Sequence, residues 1–211
     1  MLFENFLFDL DGTLIDSNQH VISCFKYAFQ EVLGESVSTA EITATFGIPL
    51  EKALQMMRPA AAQDLLRTYR AESDRRGQGD IVVIPQARET LAALKARQAG
   101  IAVVTSKKRV NAYKSLDALG LSPYLDVFVG PEDTDVHKPD PKPVNIALGR
   151  LQAAPETALM IGDSAHDIEA ARRAGIKTCG VAFAACGKET LAKSRPDYMI
   201  EGLTDLLTLK S

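Results

Sequence analysis

Two carboxylates two positions apart, Asp9 and Asp11, follow the apolar run Phe6-Leu7-Phe8 near the start of the chain. In an extended segment, side chains two positions apart face the same side, so both acids point one way. Carboxylates held this close repel unless a cation or a shared proton separates their charges, and a magnesium ion fits that need best. Asp9 is then a metal-neutralised nucleophile, and Asp11 the acid that protonates a leaving oxygen and later activates water. Gly12 permits the sharp departure from a strand end, and the Thr13 hydroxyl can brace the turn. Asp-X-Asp alone also describes a solvated turn, whereas the nonapeptide 6–14, ending Gly-Thr-Leu, is far more specific.

Three later segments offer complementary chemistry. Thr105 and Ser106 follow the apolar stretch 101–104, where a hydroxyl and a backbone amide suit a phosphoryl oxygen; the same pair also suits a helix cap. Lys138 lies in the proline-dense loop 137–143, which stiffens its direction. Its ammonium can offset the aspartates and bind phosphate as a point charge, the plainer reading being an exposed loop lysine. Asp163 leaves a third apolar stretch, 158–161, and Asp167 stands one helical turn further on, so both can aim at one cation. Acids at a helix start also complement the macrodipole, which accounts for Asp167 better than for Asp163. His20, His137 and His166 share no ligand spacing with another histidine or cysteine and read as surface residues.

The elements that must position these groups alternate. A first strand at 6–8 is followed by helical patterns at about 17–33, 39–46, 50–57 and 59–76, Ser17 and the Ser38/Glu41 capping box marking two starts. A helix over 85–99, ended by Gly100, leads to strand 101–105. Helix 107–119, strand 127–129, helix 141–152, strand 158–161, helix 164–174, strand 176–182, strand 198–200 and a short helix at 203–209 complete the chain. Such alternation predicts an α/β fold, a doubly wound, mainly parallel sheet with helices on both faces. A βαβ unit takes about 30 residues, so the much longer span from Asp11 to Thr105 implies an insertion. Residues 1–16 and 80–211 are expected to form the core, and 17–79 a helical cap set where it can exclude water and select substrate.

With 46% hydrophobic and 24% charged residues, the composition is that of a soluble globular protein. A formal net charge of −3 and no long basic block argue against nucleic acid as a partner. The three cysteines have no zinc-like or redox spacing and form no disulfide framework. The N-terminal apolar stretch carries acids and no basic region, unlike a signal peptide, and no run reaches the ~18 residues of a membrane span. A cytoplasmic location is expected.

Phe6 through Leu14, Thr105-Ser106, Lys138-Pro139-Asp140-Pro141 and Gly162 through Asp167 resemble, in order, the four motifs of the haloacid-dehalogenase-like (HAD) phosphohydrolases. The helical insertion resembles the cap of that family's phosphoglycolate-phosphatase-like branch. The resemblance implies a Rossmann-like core, Asp9 as nucleophile, Asp11 as general acid and base, and Thr105, Ser106 and Lys138 around the substrate phosphate. It implies Mg2+ held by Asp9, the Asp11 backbone carbonyl and Asp163, with Asp167 supporting. The activity implied is hydrolysis of a small phosphorylated metabolite, phosphoglycolate-like, through an aspartyl-phosphate. Bacterial pyrophosphatases share these motifs, a β-phosphoglucomutase-like mutase shares the chemistry, and a phosphorylation-switched receiver module shares the residue types but has no cap. Oligomeric state is open on this reading.

Overall fold

The computed structural model describes residues 3–209. In chain order its regular elements are β1 (Asn5–Phe8), β2 (Ile15–Asp16), α1 (Asn18–Leu33), α2 (Thr39–Thr43), α3 (Leu50–Met57), α4 (Ala62–Arg76), β3 (Val82–Val83), α5 (Ala87–Ala96), β4 (Gly100–Val104) and α6 (Arg109–Ala118). They continue with β5 (Val127–Val129), α7 (Lys142–Leu151), β6 (Ala158–Gly162), α8 (Ala165–Arg173), β7 (Lys177–Val181), α9 (Lys188–Ala192) and β8 (Tyr198–Ile200), before a final 3-10 turn at Leu203–Thr208. Contacts divide them into two compact units, one of the chain up to Asp16 with the chain from Val83 on, the other Ser17–Val82.

The first unit is built on a six-stranded sheet of order β5-β4-β1-β6-β7-β8, every neighbouring pair parallel. This is the expected α/β architecture. Strands buried on both faces must be apolar throughout, and β1 obeys: Phe6, Leu7 and Phe8 are fully buried. Period two sends Leu7 to one face, where it joins Ala102, Val104 and Met160 of the neighbouring strands and Val144, Ala147 and Ala171 of α7 and α8. Phe6 and Phe8 share the opposite face, their rings stacked 6.5 Å apart. Burial of each such side chain contributes about 2–3 kcal/mol.

Register sets up the site. Phe8 pairs with Val103 of β4 and Ile161 of β6, so the residues following these three strands emerge side by side. Chain order runs outward from β1 through β4 and β5, then returns to begin again at β6. The crevice beyond the carboxyl ends of β1 and β6 is therefore the topological switch point, where open α/β sheets take ligands.

The second unit is helical, with α1 against α4 and a core of Cys24, Phe25, Phe29, Leu54, Leu65 and Tyr69. The capping box opening α2 is formed: Glu41 N–H donates to Ser38 Oγ at 3.2 Å and Ser38 N–H to Glu41 Oε2 at 3.1 Å. That helix stops at Thr43, short of the expected Phe46, because the Thr45 N–H and hydroxyl both turn back on the Ile42 carbonyl, at 2.9 and 2.7 Å. Ser17 occupies the N-cap position of α1 without making a side-chain capping bond.

Several expectations need correction. His20 is buried, its Nε2 2.8 Å from Ser73 Oγ, because positions 20, 24 and 28 form the inward stripe of α1. Gly100 does not end α5. The helix closes at Ala96, Gln98 takes the left-handed conformation, and Gly100 begins β4 so close to β1 that a Cβ there would meet Asn5 Oδ1 at 2.4 Å. Asp80, Ile81 and Val82 side with the helical unit. The ribbon of β2 with β3 and the helix α9 lie where the sequence suggested no element. Among the described residues, no helix is long and apolar enough to cross a membrane.

Candidate active site

Asp9 is the first residue beyond β1, and its N–H continues the ladder to the Ile161 carbonyl at 2.9 Å. Asp163 follows β6 in the same way. Asp167 is fixed in the first turn of α8 by a reciprocal cap: its Oδ2 accepts the Ser164 hydroxyl at 2.6 Å and the Ser164 N–H at 3.1 Å. Carboxylate oxygens of Asp9, Asp163 and Asp167 converge within 4.8 Å of one another. Two glycines allow this convergence. Gly12, at φ +85°, lies so close to Asp163 that a Cβ would stand 2.2 Å from its Oδ2, and a Cβ on Gly162 would meet the Asp167 side chain at 2.4 Å.

Lys138 is buried against the cluster. Its Nζ donates to Asp9 Oδ1 at 2.7 Å, Asp167 Oδ1 at 2.5 Å and the Val104 carbonyl at 2.8 Å, which uses all three ammonium donors. Burial alone would lower its pKa, but Asp167 and Asp9 outweigh that and hold it above the usual lysine range. One ammonium cannot neutralise three carboxylates. Burial first, with the charges of Asp167 and Asp11 adding and Lys138 opposing, pushes Asp9 up to about 7. Burial, with Asp9 and Asp167 beside it, raises Asp163 well above the carboxylate range. An all-oxygen donor set with uncompensated negative charge fits a hard divalent cation such as Mg2+.

Asp11 is not one of the converging carboxylates. Its side chain, one-third exposed, accepts the Lys107 ammonium at 2.7 Å. Lys107 in turn donates its N–H to Thr105 Oγ1 at 3.1 Å. Thr105 is buried, its own N–H bonded to the Val129 carbonyl. Thr105, Ser106 and Lys138 line one small cleft, which His137 also borders. His166 is half-buried on α8, and it is not in the carboxylate cluster.

The structure thus packs Lys138 against Asp9 and Asp167, brings a carboxylate oxygen of Asp163 within 4.8 Å of theirs, sets Thr105 and Ser106 in the cleft that Lys138 lines, and pairs the Asp11 carboxylate with Lys107. Sequence reasoning missed Lys107. Its signal was available in its place two residues beyond Thr105, but a lysine in a run of three basic residues looks like a solvated helix start.

A doubly wound parallel sheet with an acid cluster and a buried ammonium at its switch point defines an α/β protein with a site fitted to a cation and an anion. Residues 6–181 match the family model of the haloacid dehalogenase-like hydrolases, and the chain belongs to that family, among its phosphatases. It is 41% identical over 203 residues to the protein named "Putative pyrophosphatase PpaX" of Caldanaerobacter subterraneus subsp. tengcongensis, covering 96% of this chain and 92% of that one. The crystal structure of a "Putative haloacid dehalogenase-like hydrolase" from Bacteroides fragilis superposes with a TM-score of 0.89 at 27% identity, covering 97% of this chain and 99% of the other. The crystal structure of a "predicted phosphoglycolate phosphatase" from Haemophilus somnus 129PT gives 0.87 at 26% identity, with 99% and 98% covered.

Proposed function

We propose that the protein is a Mg2+-dependent phosphatase acting on a small phosphorylated anion, with Asp9 as nucleophile and Asp11 as general acid and base. The observation that carries this reading is the convergence of Asp9, Asp163 and Asp167 around the fully engaged Lys138. Asp9, Asp163 and the main chain at Asp11 would hold the magnesium ion, which supplies charge neutralisation for a phosphoryl group approaching Asp9. Asp167 has both oxygens engaged, one by Lys138 and the other by Ser164, so its part is to orient Lys138 and support the shell.

Lys138 bonds to Asp9 Oδ1, which leaves Oδ2 as the attacking oxygen. As the bond from Oδ2 to phosphorus forms, the bond from phosphorus to the leaving oxygen breaks, and that oxygen takes the proton of Asp11. The aspartyl-phosphate on Asp9 is then opened by water whose proton passes to Asp11, restoring both carboxyl groups. Thr105 and Ser106 supply polar contacts for the non-reacting phosphoryl oxygens.

A phosphoglycolate-like monoester and inorganic pyrophosphate are the two substrate readings. The 41% identity to PpaX over nearly the whole chain, against 26% to the phosphoglycolate phosphatase structure, favours testing pyrophosphate first. The experiment is phosphate release from pyrophosphate, phosphoglycolate, hexose phosphates and nucleoside monophosphates by purified protein with and without magnesium. Full activity after verified metal removal overturns the mechanism. A requirement for a sugar bisphosphate activator would make the protein a mutase instead.

A further inference from the structure

We propose that Lys107 is a specificity-determining residue that binds a negative charge on the leaving group, and so selects substrates whose departing half is itself an anion. This rests on the assignment of Asp11 as the group that protonates the leaving oxygen. The Lys107 ammonium lies 2.7 Å from Asp11 Oδ1, which places it on the leaving-group side of the reacting phosphorus, whereas Lys138 lies against Asp9 on the side of the transferred phosphoryl group.

The charge inventory supports the assignment. Lys138 has committed its three donors to Asp9, Asp167 and Val104 and has none left for a second anionic group. Arg109 is directed to Asp133 and Lys142 to Asp135. Lys107 is mostly buried, with 17% of its side chain exposed, and its main chain is pinned through Thr105 Oγ1, so its ammonium is presented at a fixed place. A lysine ammonium carries three donors. Contact with Asp11 therefore leaves it able to take a phosphate or carboxylate oxygen of the departing group, a charge-assisted bond of the stronger kind.

Pyrophosphate and phosphoglycolate both leave as anions, the first as phosphate and the second as a hydroxyacid carboxylate. A neutral alcohol offers Lys107 nothing.

The test compares the parent protein with Lys107→Met and Lys107→Arg, each shown to be folded by a cooperative melt. Two readouts are taken with magnesium present: kcat/KM for pyrophosphate and phosphoglycolate against ethyl phosphate, and calorimetric binding of methylenediphosphonate against methylphosphonate. Removing one charge-assisted contact is expected to cost Lys107→Met about 10- to 100-fold toward the two anionic-leaving substrates and toward the diphosphonate. Any loss toward ethyl phosphate and methylphosphonate, for which only the Asp11 contact is shared, should be at least about tenfold smaller, and Lys107→Arg should restore most of the difference. Equal losses for all ligands would assign Lys107 to holding Asp11 alone and overturn the proposal, as would no loss at all. If the parent hydrolyses none of the phosphates yet Lys107→Met selectively loses the diphosphonate, the hydrolytic reading fails and the anion site stands. If the parent hydrolyses ethyl phosphate as well as pyrophosphate, the phosphatase reading stands and the proposal for Lys107 falls.

Discussion

Replacing Asp9 by asparagine should stabilise the metal-free protein in a pH-dependent way while abolishing turnover. The amide keeps the shape of the carboxylate but is a poor nucleophile. Burial, reinforced by Asp167, raises Asp9 from an ordinary 3.8 to about 7 even with Lys138 in contact. Because the folded value lies above the unfolded one, the folded state holds an extra proton between about pH 4 and 7, and the associated stability is lost as pH rises through that window. Three pH units at 1.36 kcal/mol each amount to on the order of 4 kcal/mol above pH 7. The neutral amide of Asp9→Asn carries no such loss, so the stability gap in favour of the variant should widen by about 1.4 kcal/mol per pH unit from pH 4 to 7 and then level off. Urea unfolding of both proteins in chelator at pH 4.5, 6 and 7.5 measures the gap, to which Asp163, relieved of the Asp9 charge in the variant, adds in the same direction. Adding magnesium should close it by stabilising the parent. A gap that stays flat with pH would refute the reasoning, since it would mean that Asp9 ionises in the folded protein without penalty.

Magnesium and protons should compete for the same carboxylates, so the magnesium-induced rise in melting temperature should weaken below pH 7, with affinity falling up to about tenfold per pH unit for each proton displaced; equal affinity at pH 6 and 8 would contradict this. Gly12→Ala should fold but bind magnesium about 10- to 100-fold more weakly, because its Cβ would displace Asp163 and its φ is strained for alanine; an unchanged magnesium titration would show that Asp163 can move without consequence. Asp11→Asn should lose about 10²–10⁴-fold in pre-steady-state release of an alkyl alcohol and much less for a phenol, which departs nearly unaided. Equal losses for both would make Asp11 positional.

Much of the sheet was legible because long strands buried on two faces must be uniformly apolar and the helices between them carry a 3.6-residue period. The expected strand at 127–129 coincides with β5 and the expected helix at 50–57 with α3. The two-residue strands β2 and β3 have no period to detect, and α9 is a five-residue helix after a glycine with no capping side chain. At the site, acids at strand ends pointed to Asp9 and Asp163 and a proline-stiffened loop to Lys138, but two features needed coordinates. Gly12 was read as a turn former, whereas its missing Cβ also makes room for the Asp163 carboxylate. Lys107 and Asp11 are far apart in sequence, and their ion pair depends on the register of β1 with β4. His20 was misread because a lone polar residue on a helix gives no sign that a hydroxyl on another helix will receive it.

The central place of β1 also bears on how the protein comes into being. Asn5 at its start pairs with Gly100 on one side and Ala158 on the other, so β1 waits for segments far along the chain before both flanks are covered. The helical unit, contiguous from Ser17 to Val82, can settle long before then, since domains form as units during synthesis. Non-local parallel pairing is intrinsically slow, and Phe6, Leu7 and Phe8 stay only partly covered throughout the delay. Asp9 meets Asp163 only once β6 has docked. A nascent or truncated chain ending before Ala158 therefore holds Asp9 apart from Asp163 and Asp167 and leaves one flank of an apolar strand uncovered.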